Sequence, residues 1–132
     1  MNTPSQTTPI AIVEDDPMMG SLVVQMLAHY GWSAQHYSGG RALLRSDGLH
    51  TFQTIIMDLS LPDMDGFELI QKLADNVPNA ELLLMTGRGN ATLESARMVA
   101  EGLGCRVVGA LNKPFSHLEL CLALKLEEPR SC

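Results

Sequence analysis

The sequence predicts one α/β domain whose parallel sheet is covered by helices on both faces. Short apolar runs rich in branched residues recur along the chain, helical periodicities separate them, and polar or acidic residues close each run. A length of 132 residues suits a single domain. With 45% hydrophobic and 18% charged residues, the composition excludes a disordered chain.

Ile10-Ala11-Ile12-Val13 is too short for a helix and reads as a buried strand. Asp16 followed by Pro17 is a helix start, an N-cap with proline in the first turn. Met19, Leu22, Val23, Met26, Leu27 and Tyr30 then form one apolar stripe, which Gly31 ends. A weaker strand from Ser33 to Tyr37 precedes a short helix from Gly40 to Ser46. Thr54-Ile55-Ile56-Met57 is the next buried strand, closed by Asp58; Asp65 to Ala74 reads as a helix and Pro78-Asn79 as a turn. Glu81 to Met85 is a strand ended by Thr86-Gly87, Asn90 to Glu101 an alanine-rich helix, and Arg106 to Leu111 the last strand. Ser116-His117-Leu118-Glu119 has the spacing of a capping box and opens a helix to about Glu127. On that fifth helix Leu118, Cys121 and Leu122 are expected to face the sheet. Leu120 and Leu124 then project outward, either as a contact face for a second copy or an output domain, together with the fourth helix, or beneath a flanking loop that covers them.

The net charge of −6 and the lack of any Lys or Arg run argue against binding nucleic acid or an anionic membrane through basic residues. No apolar run approaches the ~20 residues that cross a bilayer, and the polar start of the chain lacks the pattern of a secretion signal. Cys105, Cys121 and Cys132 are an odd number and too few for a disulfide scaffold. Reduced thiols in a cytoplasm are expected, with Cys105 and Cys121 as small core residues. The histidines (His29, His36, His50, His117) share no ligand spacing and read as surface or structural, Trp32 as structural, and the helical methionines as core filler.

In open parallel sheets, ligands bind beyond the carboxyl ends of the strands. That rule brings Glu14, Asp15, Asp58, Thr86 and Lys113 to one edge, the last four separated by 43, 28 and 27 residues. Carboxylates meeting there repel one another or hold a cation. Magnesium suits such oxygen ligands and keeps waters and phosphate in its shell. A carboxylate beside it can attack phosphorus, with an ammonium and a hydroxyl neutralising the phosphoryl oxygens. Singly, each residue has an ordinary reading: Asp58 a solvated strand end, Glu14-Asp15-Asp16 acids at a helix start, Thr86 a turn residue, Lys113 a solvated charge. As a set, four of them favour the site, and Asp16 keeps its role as a cap. Asp63-Met64-Asp65-Gly66 reads as a turn and helix cap.

Val13-Glu14-Asp15-Asp16-Pro17, Met57-Asp58-Leu59-Ser60-Leu61-Pro62-Asp63-Met64-Asp65-Gly66, Met85-Thr86-Gly87 and Lys113-Pro114-Phe115 resemble the receiver domain of two-component response regulators, from about Ile10 to Glu127. The resemblance implies a flavodoxin-like, doubly wound five-stranded sheet in the order 2-1-3-4-5 with five helices. It makes residues 10–127 the receiver, 1–9 a polar tail, and 128–132 a tail or the start of a linker to an output domain beyond Cys132. It implies that Asp58 takes a phosphoryl group from a sensor histidine kinase or a phosphotransfer protein. Asp15 would bind Mg²⁺ directly, Glu14 through water and Ser60 by its backbone carbonyl, while Thr86 and Lys113 contact the phosphoryl group. The function implied is a cytoplasmic signalling switch, not a turnover enzyme, read out on the face of the fourth helix, last strand and fifth helix.

Ala110 departs from this pattern, because the family usually places Tyr or Phe three residues before the lysine. Arg88, two residues after Thr86, sits where it can bear on water access to an acyl phosphate. The alanine-rich helix, Glu101-Gly102-Leu103-Gly104, Ala110 and Lys113-Pro114-Phe115-Ser116 resemble receivers joined to EAL-type cyclic-di-GMP phosphodiesterases. Two rival readings remain: a receiver-like interaction module that does not use phosphorylation, which Ala110 favours, and a small phosphatase with Asp58 as nucleophile. The latter lacks a second acid two residues later, at Ser60.

Overall fold

The computed structural model describes residues 10–124. In chain order its elements are β1 (Ile10–Val13), α1 (Pro17–His29), β2 (Ala34–Tyr37), α2 (Gly40–Leu44), β3 (Thr54–Asp58), α3 (Gly66–Asn76), β4 (Glu81–Thr86), α4 (Asn90–Gly102), β5 (Arg106–Asn112) and α5 (His117–Leu124). A 3₁₀ turn at Leu49–Thr51, which the sequence pattern did not suggest, leads into β3. The strands are parallel and ordered β2-β1-β3-β4-β5, the doubly wound arrangement expected. The expected tails and the end of the last helix near Glu127 lie outside the described residues, as does Cys132.

Alternation along the strands sends one set of side chains to each face. Ala11, Val13, Ile55, Met57, Leu82 and Leu84 pack with Leu43 of α2, Leu69 and Leu73 of α3, and Leu93, Ala96 and Ala100 of α4. Ile10, Ile12, Ile56, Leu83, Met85 and Leu111 pack with Val23 and Leu27 of α1 and Leu120 of α5. Cys105 and Cys121 are buried, as expected of small core residues, and Trp32 packs at the edge of the α1/α5 core.

Strand β5 breaks the alternation. Its register against β4 shifts so that Val107 pairs with Leu82 and Gly109 with Leu83, leaving Val108 as the extra residue of a bulge. Val108 packs into the α1/α5 core, and a Cβ at Gly109 would lie 3.1 Å from the Cβ of Ala123 in α5. Two successive residues therefore face α5. Ala110 returns to the α2/α3/α4 core and Leu111 to the other.

The helix caps follow the sequence. Asp16 accepts from Met18 N at 3.0 Å and Asp65 from Phe67 N at 2.8 Å. Ser116 and Glu119 form a reciprocal box, Ser116 N donating to Glu119 Oε1 at 2.8 Å and Glu119 N to Ser116 Oγ at 3.0 Å. Asp63 does more than shape a turn. Its carboxylate accepts from Gly40 N at 3.2 Å and Arg41 N at 3.0 Å, capping α2 from 22 residues or more away in sequence.

Two helix faces differ from expectation. On α1, Leu22 leaves the predicted stripe and is 45% exposed, because Val23 and Leu27 already fill the contact with the sheet. On α5 the expected contact face of Leu120 and Leu124 is reversed. Leu120 is 1% exposed and Leu124 packs against the core, whereas Leu118 and Leu122 are 56% and 66% exposed. The helix is apolar nearly all round, so its rotation is set by docking: Ala123 fits over Gly109, which carries Leu120 and Cys121 inward.

These two positions separate the readings of α5. Leu120→Ala is expected to lower unfolding stability by about 2–5 kcal/mol, the usual cost of emptying a leucine site in a core. Leu122→Ala should stay within about 0.5 kcal/mol of the parent, as for surface changes. Urea denaturation of the two variants checks this.

Candidate functional site

The carboxyl ends of β1, β3, β4 and β5 deliver the predicted residues to one edge. Asp58 is the last residue of β3 and Thr86 of β4, Glu14 follows β1, and Lys113 follows β5. Glu14 and Asp58 are almost wholly buried, at 1% and 3% exposure, and Thr86 is fully buried. Buried ionised carboxylates cost several kcal/mol each unless paired, and Lys113 is the pairing group. Its Nζ lies 2.5 Å from Glu14 Oε1 and 2.5 Å from Asp58 Oδ2.

The remaining acceptors are taken by main chain. Ser60 N donates to Asp58 Oδ1 at 2.8 Å, and Asp16 N to Glu14 Oε2 at 3.2 Å. Thr86 Oγ1 accepts from Arg88 N at 3.1 Å, while Thr86 O accepts from Lys113 N at 2.8 Å. The peptide between Lys113 and Pro114 is cis. His36, read from sequence only as surface or structural, reaches this edge from β2 and donates from Nε2 to Glu14 O at 2.6 Å. No spacing rule could have found it, since the contact crosses 22 residues.

Asp15 is exposed beside these groups. Glu14, Asp15 and Asp58 each offer a carboxylate oxygen, and the three oxygens lie within 4.8 Å of one another. An all-oxygen, partly open donor set fits a hard divalent cation that keeps several waters, as Mg²⁺ does. A cleft outside it is lined by Asp15, Ser60, Phe67, Arg88 and Thr92.

The sequence pattern of the response regulator receiver domain family matches residues 10–125. The chain belongs to this family. Among relatives of this receiver domain, the probable transcriptional regulatory protein TcrX of Mycobacterium tuberculosis is 26% identical over 120 residues, covering 91% of this chain and 49% of TcrX. Transcriptional regulatory protein PcoR of Escherichia coli is 31% identical over 111 residues, covering 84% of this chain and 47% of PcoR. The chain thus spans about half the length of these relatives. A solved response regulator from Colwellia psychrerythraea superposes with a TM-score of 0.75 at 31% identity, covering 89% of this chain and 94% of that one. Among the described residues of the receiver, no helix is long and apolar enough to cross a membrane.

Burial raises the pKa of Glu14 above its ordinary 4.5, against the pull of the Lys113 hydrogen bond. For Lys113, burial pulls the pKa down, but hydrogen bonds to Asp58 and Glu14 outweigh it and leave the pKa above the ordinary 10.5. The Lys113 contribution to stability is therefore intact below pH 10.5 and lost only as the pH rises through its own higher value. Glu14 behaves as a raised acid. The folded state holds its proton more tightly than the unfolded chain, so that contribution is present below pH 4.5 and lost as the pH rises through the raised value. In metal-free buffer, Glu14→Gln is accordingly expected to gain stability relative to the parent as the pH is raised from below 4.5 to neutrality. Urea unfolding across that range measures the difference.

Proposed function

We propose that this receiver is a phosphorylation-dependent signalling switch of the cytoplasm, with Asp58 taking a phosphoryl group from the phosphohistidine of a sensor kinase or phosphotransfer protein. The observation that carries this reading is the Lys113 ammonium bridging two buried carboxylates beside the exposed Asp15. Glu14 (through a water), Asp15, Asp58 and the Ser60 carbonyl would hold Mg²⁺, which when bound supplies positive charge to the phosphoryl oxygens and relieves carboxylate repulsion.

In the transfer, an Asp58 oxygen attacks phosphorus and the O–P bond forms as the donor's N–P bond breaks. The imidazole leaves with the electron pair and is protonated. The Thr86 hydroxyl accepts from Arg88 N, so it keeps its own proton to donate to a phosphoryl oxygen. The new group carries about −1.5 to −2 charges and competes with Glu14 for the Lys113 ammonium. Arg88 lines the same cleft as Asp15 and Ser60, where it would bear on water access to the acyl phosphate.

Movement of these partners has a route to the α4–β5–α5 face. Lys113 N is bonded to Thr86 O, and the Asn112 side chain at the end of β5 donates to Asn90 at the start of α4. With Ala110 in place of an aromatic, that backbone and side-chain linkage carries the change. Met98 and Val99 of α4 and Leu103 just after it are exposed, as are Leu118 and Leu122 of α5. An output domain or a second copy of the chain would read it there, through Leu118 and Leu122 in place of Leu120 and Leu124. Exposed Met18 and Leu22 on α1, next to Asp16, suit the apolar side of a phosphodonor helix. The narrower form, an EAL-type phosphodiesterase output, rests on the sequence resemblance alone, and the relatives above are named as transcriptional regulators.

Ala110 favours a second reading, an interaction module that does not use phosphorylation. Acetyl phosphate with Mg²⁺ decides between them by intact mass. The parent is expected to gain one phosphoryl group, Asp58→Asn none, and Lys113→Ala to react roughly 10²-fold more slowly, the cost of a lost charge-stabilising donor. An unchanged parent mass rejects the switch in favour of the module.

A further inference from the structure

Glu14 is held at each of its polar atoms. Its N–H donates to Tyr37 O at 3.0 Å, Oε1 meets Lys113 Nζ at 2.5 Å, and Oε2 accepts from Asp16 N at 3.2 Å. The fourth tie is the one the proposed chemistry leaves unexplained: Glu14 O accepts from His36 Nε2 at 2.6 Å. A carbonyl can only accept, which assigns the ring proton to Nε2.

That carbonyl belongs to the peptide joining Glu14 to Asp15. The peptide unit is planar, so holding its oxygen fixes the direction in which the Asp15 Cα leaves Glu14. The Asp15 carboxylate is exposed, unlike its buried partners Glu14 and Asp58. Its placement therefore depends more on the backbone that carries it.

The fold makes room for this ring. His36 pairs with Ile12 across β1 and β2, on the side of the sheet where α1 packs. A Cβ at Gly20 of α1 would lie 2.3 Å from His36 Cε1, 2.3 Å from Nε2 and 2.6 Å from Cδ2. Only a residue without a side chain admits the imidazole between helix and strand at that point.

We propose that His36 is a positioning residue for divalent-cation binding: seated in the notch at Gly20, it holds the Glu14 carbonyl and so aims the Asp15 carboxylate at the cation. This role rests on the reading of Glu14, Asp15 and Asp58 as a Mg²⁺ site. It places part of the site's support on β2, an edge strand that carries none of the acidic residues.

The test is Mg²⁺ affinity by titration calorimetry on the full chain, with urea unfolding in metal-free buffer alongside. His36→Phe keeps a ring and removes the donor. His36→Gln carries an amide N–H near the position of Nε2. His36→Phe is expected to weaken Mg²⁺ binding roughly 10-fold, as losses of outer partners of metal ligands do, and His36→Gln to recover most of it. Gly20→Ala leaves the histidine in place but drives its ring from the carbonyl, and is expected to weaken binding to a similar degree. Parent-like affinity in His36→Phe or in Gly20→Ala overturns the role, as does a His36→Gln variant no tighter than His36→Phe. Absence of Mg²⁺ binding by the parent removes the metal reading itself, a result distinct from equal binding by parent and variants.

Discussion

One ammonium group makes the carboxyl edge of this sheet possible. Lys113 arrives 99 residues after Glu14 and 55 after Asp58 and places its Nζ 2.5 Å from a carboxylate oxygen of each. Without it, two buried carboxylates would meet with no compensating cation, at a cost of several kcal/mol per ion. The three strands concerned, β1, β3 and β5, must therefore be in register at their ends before the edge is stable. Lys113 N bonding to Thr86 O ties in β4 as well. The proposed phosphoacceptor site and a folding constraint share the same set of contacts.

The same economy explains why the edge is poised. A single cation serving two anions is already shared, so a third anion, or a second cation, changes the balance at little structural cost. Burial raises Glu14 above its ordinary range while the carboxylates hold Lys113 charged. Asp15 stays exposed, so this acidic cluster is open on one side. The surrounding hydrogen bonds come from main-chain groups at Ser60, Asp16 and Arg88. Such donors are pre-aimed by the loops and need no rearrangement to act.

The strands of the sheet are not equally buried. β1 and β3 are buried along their whole length, whereas β5 is mostly half-buried and begins and ends exposed. The helices beside it, α4 and α5, carry four of the exposed large apolar side chains, and exposed Leu103 follows α4 directly. α4 itself is held largely by Leu93, Ala96 and Ala100, a contact with little side-chain bulk. This helix lies next to the edge where charge would change, joined to it through Asn112 and Asn90.

Much of this was legible in the amino-acid order. Branched apolar runs mark the strands, acids and lysine at their ends mark the edge, and Asp16, Asp65 and the Ser116–Glu119 pair mark helix starts, because each of these signals acts over a few residues. Contacts made across the fold were not legible in that way. The Asp63 cap on α2 and the His36 bond to Glu14 join residues far apart in sequence. The bulge at Val108 depends on how β5 meets β4. The rotation of α5 is the plainest case: Leu118, Leu120, Leu122 and Leu124 ring a helix that is apolar nearly all round, so no periodicity selects a face. The close fit of Ala123 over Gly109 selects it, burying Leu120 and leaving Leu118 and Leu122 outside. Local patterns determined which elements form and what chemistry they carry; close packing between distant surfaces decided which side each one turns inward.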